Sequence, residues 1–152
     1  MSEPKGIPET KPGRTEIDDL ADAAKRNPTA EGLTPLYQAT FDLSRWHFVG
    51  MGTFPNLAPF CGVVDDIGYV MAFTDPDRAR FYAGQQGVLA LGDKPSILSF
   101  PVREAARLCI AQQNRRNVTG VLFDDGWGNW YFPLQALPTY LDRYLVADDA
   151  SA

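Results

Sequence analysis

Few residues of this chain have side chains suited to acid–base or metal chemistry. His47 is the single histidine among 152 residues, so a metal site built from several histidines is excluded. It stands between Trp46 and Phe48 in a segment whose alternation predicts a strand. We expect His47 to be a packed or surface residue rather than a general base, and the sequence predicts no catalytic residue.

Four aspartates form two pairs, Asp65–Asp66 and Asp124–Asp125, each in a predicted tight turn. Two interpretations are open. The carboxylates could gather around Mg²⁺ or Ca²⁺ if the two hairpins lie side by side. Alternatively, aspartate is present because its side chain bonds nearby backbone in turns. We favour turn chemistry, since no EF-hand spacing is present, and we predict no metal and no cofactor.

The aromatic stretch from Gly120 to Leu145 is the most informative part of the chain for binding. It predicts a strand, an acidic turn, an aromatic strand and a helix. Trp127 lies in the turn between two glycines, where its ring either folds back over the core or is exposed as a binding anchor. In the exposed case, truncating Trp127 would weaken a partner's affinity with little loss of stability. The predicted partner-binding residues are Trp127, Trp130, Tyr131, Asp124 and Asp125.

Capping residues mark the predicted helices. Thr15 to Asp18 resembles a capping box, and Thr34–Pro35 suits the start of a second helix. Thr74 to Asp77 begins a third, which Gly84 is expected to end. A fourth begins at Pro101 or Val102. The third and fourth helices carry four arginines, which could bind an anion. We assign them instead to solvated helix faces; they are Arg78, Arg80, Arg103 and Arg107.

Alternating and short apolar segments predict the strands. They cover Arg45–Met51, a hairpin around Asp65–Asp66, Val88–Leu91 and Ile97–Phe100, besides the two strands of the aromatic stretch. The two hairpins have similar sequences, which fits either a degenerate repeat or two independent hairpins, and we favour the second. Together the elements predict an α+β fold, one domain with a mostly antiparallel mixed sheet and helices packed on it.

Composition limits the classes of partner. The net charge of −5 argues against a nucleic-acid partner, which usually meets a basic face. No apolar run is long enough to span a bilayer and no signal peptide is recognisable, so we expect a cytoplasmic protein without a membrane partner. We predict a disordered leader at 1–14, a domain at 15–146 and a frayed tail at 147–152. Cys61 and Cys109 are expected to be reduced, buried thiols.

With these elements placed, the chain resembles the N-terminal domain of the SseB family, named for enhanced serine sensitivity. The resemblance covers roughly Ile17 to Leu145, and the step from Phe73–Thr74 into an acid-rich helix start carries it best. Further matches are Ser99 to Leu108 and Gly120 to Phe123. The resemblance implies an α+β fold without established catalytic residues.

These observations give three functional hypotheses. The first is a non-enzymatic bacterial module that binds a protein partner or regulates it. The second is an immunity or antitoxin-like protein whose acidic surface covers a basic toxin. The third, which we favour least, is a small hydrolase or metal-dependent enzyme.

Overall fold

The computed structural model describes residues 7–52, 56–89, 94–115 and 117–145. Within them, the chain has an α+β fold, which confirms the predicted class. The helices are α1 Glu16–Arg26, α2 Ala30–Asp42, α3 Pro76–Gln86, α4 Val102–Ala111 and α5 Leu137–Tyr144. The strands are β1 Arg45–Met51, β2 Ala58–Pro59, β3 Cys61–Val64, β4 Ile67–Phe73, β5 Ile97–Pro101, β6 Val118–Phe123 and β7 Trp130–Pro133. Short 3₁₀ turns at Gln112–Asn114 and Leu134–Ala136 complete the described elements.

All strands belong to one mixed sheet. Its path runs β2–β1–β4–β6–β7, while β3 pairs with β4 and β5 pairs with β1. The β4–β6 pair is parallel, and the other pairs are antiparallel. Within the described residues, β7 pairs with β6 alone and therefore forms one edge of the sheet.

The two faces of the sheet are covered unequally. In β4, Val70 and Ala72 point into a large core with residues from α1, α2, α4 and α5. Met71 and Phe73 point to the opposite face, into a smaller core with residues from α3. This division follows from the two-residue period of a strand. The second face carries the smaller of the two cores.

The predicted starts of α1 and α3 are confirmed. Thr15 precedes α1, and its backbone N–H donates to Asp18 Oδ2 at 2.8 Å. Asp75 precedes α3, and its Oδ1 accepts from the backbone N–H of Asp77 at 2.7 Å, with Pro76 in the first turn. Both carboxylates satisfy N–H groups that a helix start leaves without an intrahelical partner.

Three local predictions are wrong. Helix α2 begins after Thr29, one turn before Thr34, and Pro35 lies inside it. Helix α3 continues through Gly84 and ends at Gly87, whose φ of 69° suits the left-handed end of a helix. Val88 and Leu89 form no strand, and the rest of that predicted strand lies outside the described residues.

The leader contacts the domain. Residues 7–14 form no helix or strand, yet the carbonyl of Pro12 accepts from Trp127 and that of Gly13 accepts from Arg78. The prediction that this stretch is disordered is therefore corrected for its last residues. Residues 1–6 and the predicted tail at 147–152 lie outside the described residues. No helix in the described ranges has the length and apolar character to cross a bilayer.

Candidate functional site

Arg78 occupies a buried polar centre where four parts of the chain meet. Its side chain is 1 % exposed, and its guanidinium bonds two carboxylates that are fully buried. Nη1 donates to Asp18 Oδ1 at 3.0 Å and to Asp124 Oδ2 at 2.8 Å, while Nη2 donates to Asp18 Oδ2 at 2.6 Å. The carbonyl of Gly13 accepts a further bond from Nη2 at 2.9 Å. The centre therefore joins α1, α3, the leader and the turn after β6.

The charges of this centre affect one another. Burial raises the pKa of Asp124, although Thr74 and Arg78 favour its charged form. Burial also disfavours the charge on Asp18, but the bonds from Arg78 and Thr15 hold the pKa of that carboxyl below its usual value. Each charged side chain of the centre therefore has the partners that a buried charge requires.

Asp124 is therefore not a surface binding residue, and this prediction is wrong. Its carboxylate accepts from the backbone N–H and the hydroxyl of Thr74 besides Arg78. The aspartate pairs also do not meet. Asp65 and Asp66 precede β4, whereas Asp124 follows β6, and because β4 and β6 run parallel the two turns lie at opposite ends of the sheet. Across the described residues, no three His, Cys, Asp or Glu side chains are placed to hold a metal ion.

Trp127 folds back against the domain. Its ring is half-buried, edge-on to Phe73 and Phe81 at centroid distances of 6.4 and 6.2 Å. The Arg78 guanidinium carbon lies 4.9 Å from the ring centroid, and the indole N–H donates to Pro12 at 2.7 Å. Of the two conformations considered from the sequence, this is the inward one, although one side of the ring still lines a cleft.

The remaining predicted binding residues have different environments. Trp130 is 6 % exposed, stacks on Phe123 and donates its indole N–H to Thr40, so the prediction that it binds a partner is wrong. Asp125 is half-buried and lines the same cleft as Trp127. Tyr131 is 51 % exposed and remains available for contact.

Tyr131 belongs to an exposed apolar patch, which we call the tyrosine face; it consists of Val64, Ile67, Tyr69 and Tyr131. Its members are neighbours in the sheet, since Val64 pairs with Ile67, and the rings of Tyr69 and Tyr131 meet edge to face at 6.0 Å. Val64, Ile67 and Tyr131 are 36, 42 and 51 % exposed. These three are among the large hydrophobic side chains that the described surface exposes most.

The tyrosine face lies on the sheet surface that α3 covers only in part. Ile67 and Tyr69 precede Met71 on the same side of β4, and Met71 is buried under α3. Gly120 pairs with Tyr69, and a Cβ atom at Gly120 would lie 3.2 Å from the Tyr69 ring, so the glycine lets that ring approach the β6 backbone closely.

The hairpin turn at one end of the tyrosine face is acidic. Asp65 and Asp66 form the turn between Val64 and Ile67, are exposed, and adopt φ angles of 52° and 68°. Positive φ at both central residues is typical of a two-residue hairpin turn. The aspartates thus serve turn geometry, and they also give the apolar patch a negatively charged border.

Tyr131 was predicted from the sequence as a binding residue, whereas Val64, Ile67 and Tyr69 were not. Helix α3, with 11 residues, is only about 16 Å long. A single helix of that length leaves part of a seven-stranded sheet uncovered. The sequence does not reveal which face of the sheet each helix covers, so it does not show which strand residues stay exposed.

His47 forms a further polar pair, with Ser99. Its Nδ1 lies 2.6 Å from Ser99 Oγ across the β1–β5 pair. Burial lowers the pKa of His47, Arg45 and Arg80 lower it further, and Asp75 opposes them. Burial therefore favours the neutral form of the imidazole, which is half-buried on β1.

This pKa shift predicts a pH dependence of stability. Because the pKa of His47 lies below its ordinary value of 6.5, the unfolded chain binds protons more readily than the folded one. Stability should therefore fall as the pH drops through 6.5. We expect urea unfolding of the wild type to show a larger loss between about pH 7 and pH 5 than His47→Gln does. Equal losses of stability in the wild type and His47→Gln would contradict the lowered pKa of His47.

Both cysteines are free thiols in the structure. Cys109 is buried in the large core, and burial raises its pKa strongly. Cys61 is half-buried, so the expectation of full burial is confirmed for Cys109 alone.

Comparisons with protein families, with curated proteins and with solved structures find no match to this chain. The resemblance to the SseB family therefore stays a prediction based on the residues quoted for it.

Proposed function

We propose that this chain is a non-enzymatic, cytoplasmic binding module of the SseB type, and that it contacts a protein partner through the tyrosine face. The observation that carries the proposal is the exposure of Val64 and Ile67, which pair across β3 and β4, and of Tyr131, whose ring meets the Tyr69 ring of β4. Contiguous exposed apolar patches often mark a surface that a partner contacts.

The chemistry of the patch suits a protein surface. Tyrosine has a large apolar ring and a hydroxyl that tolerates water, and it is enriched among the residues that dominate binding energy. Tyr69 and Tyr131 are already held against one another, and Tyr69 also packs on the sheet. Little side-chain entropy is therefore lost when a partner contacts these rings.

The acidic border favours a basic partner. Asp65 and Asp66 lie beside the patch, and the chain carries a net charge of −5. Complementary charge accelerates association and selects among partners. The same observation supports the second candidate function, an immunity-like protein that covers a basic toxin. Both candidates use the tyrosine face, and the identity of the captured partner separates them.

Site-specific cross-linking tests the proposal. A photo-reactive benzoylphenylalanine replaces Tyr131 in one variant and Arg107 in a matched control, and both are expressed in the native host. Arg107 is exposed on α4, which packs on the opposite face of the sheet. We expect one discrete protein adduct from position 131 and none from position 107. Adducts from neither position, or the same set from both, would contradict the proposal.

A further inference from the structure

The leader, α3 and the turn after β6 enclose a cleft that is separate from the tyrosine face. Its volume is about 440 Å³, and the residues that define its chemistry are Lys11, Tyr82, Gln85, Asp125 and Trp127. Aromatic rings, glutamine amides and one carboxylate therefore line a space in which a lysine of the same chain already lies.

Lys11 is held by the contacts that bind an ammonium group. Its Nζ donates to the carbonyl oxygen of Gly126 at 2.6 Å and lies 5.1 Å from the centroid of the Trp127 ring. A carbonyl acceptor and an aromatic face are the two partners that recognise a cation in such sites. Pro12, the next residue, accepts a hydrogen bond from the Trp127 indole, so the backbone beside the lysine is bound as well.

Asp125 adds a negative charge to the cleft. Its carboxylate makes no hydrogen bond or ion pair with any residue in the described part of the chain. It acts on Tyr82 across the same space, since burial and the Asp125 charge together raise the pKa of Tyr82 to about 12. A second cationic group entering the cleft would find this carboxylate unpaired.

The contact with Lys11 is suited to exchange. The Lys11 side chain is exposed, and the leader around it forms no helix or strand. Cation–π contacts are weak at exposed sites, and an irregular segment breaks no secondary structure when it leaves. By contrast, Arg78, the other cation on Trp127, is fixed by two buried carboxylates and does not exchange.

We propose that this cleft is a recognition site for a lysine in an extended segment of a partner protein, and that Lys11 occupies it in the free chain. The incoming ammonium would take the place of Lys11 Nζ between Gly126 and the Trp127 ring, with Asp125 as the additional acceptor. The leader thereby lowers the apparent affinity for the partner, because the partner's lysine competes with Lys11, which is tethered beside the cleft. The inference stands on other residues than the tyrosine face and does not depend on it.

The test uses the full chain with Lys11→Met, which removes the ammonium and keeps a side chain of similar length. The probe is Nα-acetyl-lysine methylamide, and the neutral control probe is Nα-acetyl-norleucine methylamide. Binding is followed through the NMR signal of the Trp127 indole N–H. Lys25→Met is the matched variant, because Lys25 donates to the carbonyl of Gly128 in the same turn and is not placed over the Trp127 ring.

We expect Lys11→Met to bind the lysine probe about tenfold more tightly than the wild type or Lys25→Met does. The norleucine probe should leave the Trp127 signal unmoved, and adding Asp125→Asn to Lys11→Met should weaken lysine binding several-fold. Equal responses to the two probes would overturn the proposal, as would equal lysine affinity in wild type and Lys11→Met or no saturable shift in any variant. Tyr131→Ala should leave these affinities unchanged, so failure here is distinguishable from failure of the tyrosine face.

Discussion

Replacing Arg78 by methionine is expected to destabilise the protein by about 3–5 kcal/mol, the range typical when one partner of a buried ion pair is removed. The substitution leaves Asp18 and Asp124 buried without the cation that lies 2.6 to 3.0 Å from their oxygens. It also removes the donor to Gly13 and the cation beneath Trp127. Chemical unfolding at neutral pH measures the loss directly.

Arg80→Met is the matched control, because Arg80 lies on the same helix two residues away. Its partner Asp77 is 60 % exposed, so the pair should contribute at most about 1 kcal/mol. A second comparison combines Arg78→Met with Asp18→Asn and Asp124→Asn, which should recover part of the lost stability by removing the unpaired charges. The account of the centre would be wrong if Arg78→Met and Arg80→Met cost the same.

Truncation of Trp127 to alanine is expected to cost about 2–3 kcal/mol of stability, somewhat below the value for a fully buried tryptophan. The ring contacts Phe73, Phe81 and the Arg78 guanidinium, and its N–H holds the Pro12 carbonyl. This result is the reverse of the one expected for an exposed anchor, where truncation leaves stability nearly unchanged.

Tyr131→Ala is the control for the Trp127 substitution. It removes an aromatic ring of similar chemistry from the same hairpin, but that ring is 51 % exposed. Its effect should stay within about 0.5 kcal/mol, as is usual for surface positions. If both substitutions had equally small effects on thermal and chemical unfolding, Trp127 would be a surface residue and the inward packing would be refuted.

The sequence was sufficient for elements whose signals are local. Strand β1 runs over Arg45–Met51 as its alternation predicts, and the carboxylate caps at α1 and α3 lie where their spacing places them. The start of α2 was misplaced because Thr34–Pro35 carries a valid start signal, while the chain begins the helix at an earlier threonine. Local sequence signals of equal strength do not decide which of two threonines begins the helix.

The polar centre was missed because its partners are distant in sequence. Asp18 and Asp124 lie 60 and 46 residues from Arg78, so local patterning placed Arg78 with Arg80 on a solvated face. One signal was available. Arg78 shares the buried stripe of α3 with Ala79, Tyr82 and Ala83, and a charged residue in phase with an apolar stripe indicates a buried partner.

The tyrosine face required the tertiary structure for a different reason. Exposure of Tyr131 and Val64 depends on where α3 ends over the sheet, which no local pattern reports. The hypothesis that Trp127 is an exposed binding residue rested on its two flanking glycines. In the fold, the contacts from the leader and α3 draw this ring inward, and Tyr131 is the more exposed residue of the pair.

The most direct test of the account is the affinity of the partner identified by cross-linking, measured by titration calorimetry against Tyr131→Ala and Arg107→Ala. If the tyrosine face is the contact surface, Tyr131→Ala should weaken binding by about 2 kcal/mol, or roughly 30-fold, with its melting temperature preserved. Arg107→Ala should bind as the wild type does. Wild-type affinity in Tyr131→Ala, or an equal loss in both variants, would contradict the tyrosine face as the site of binding.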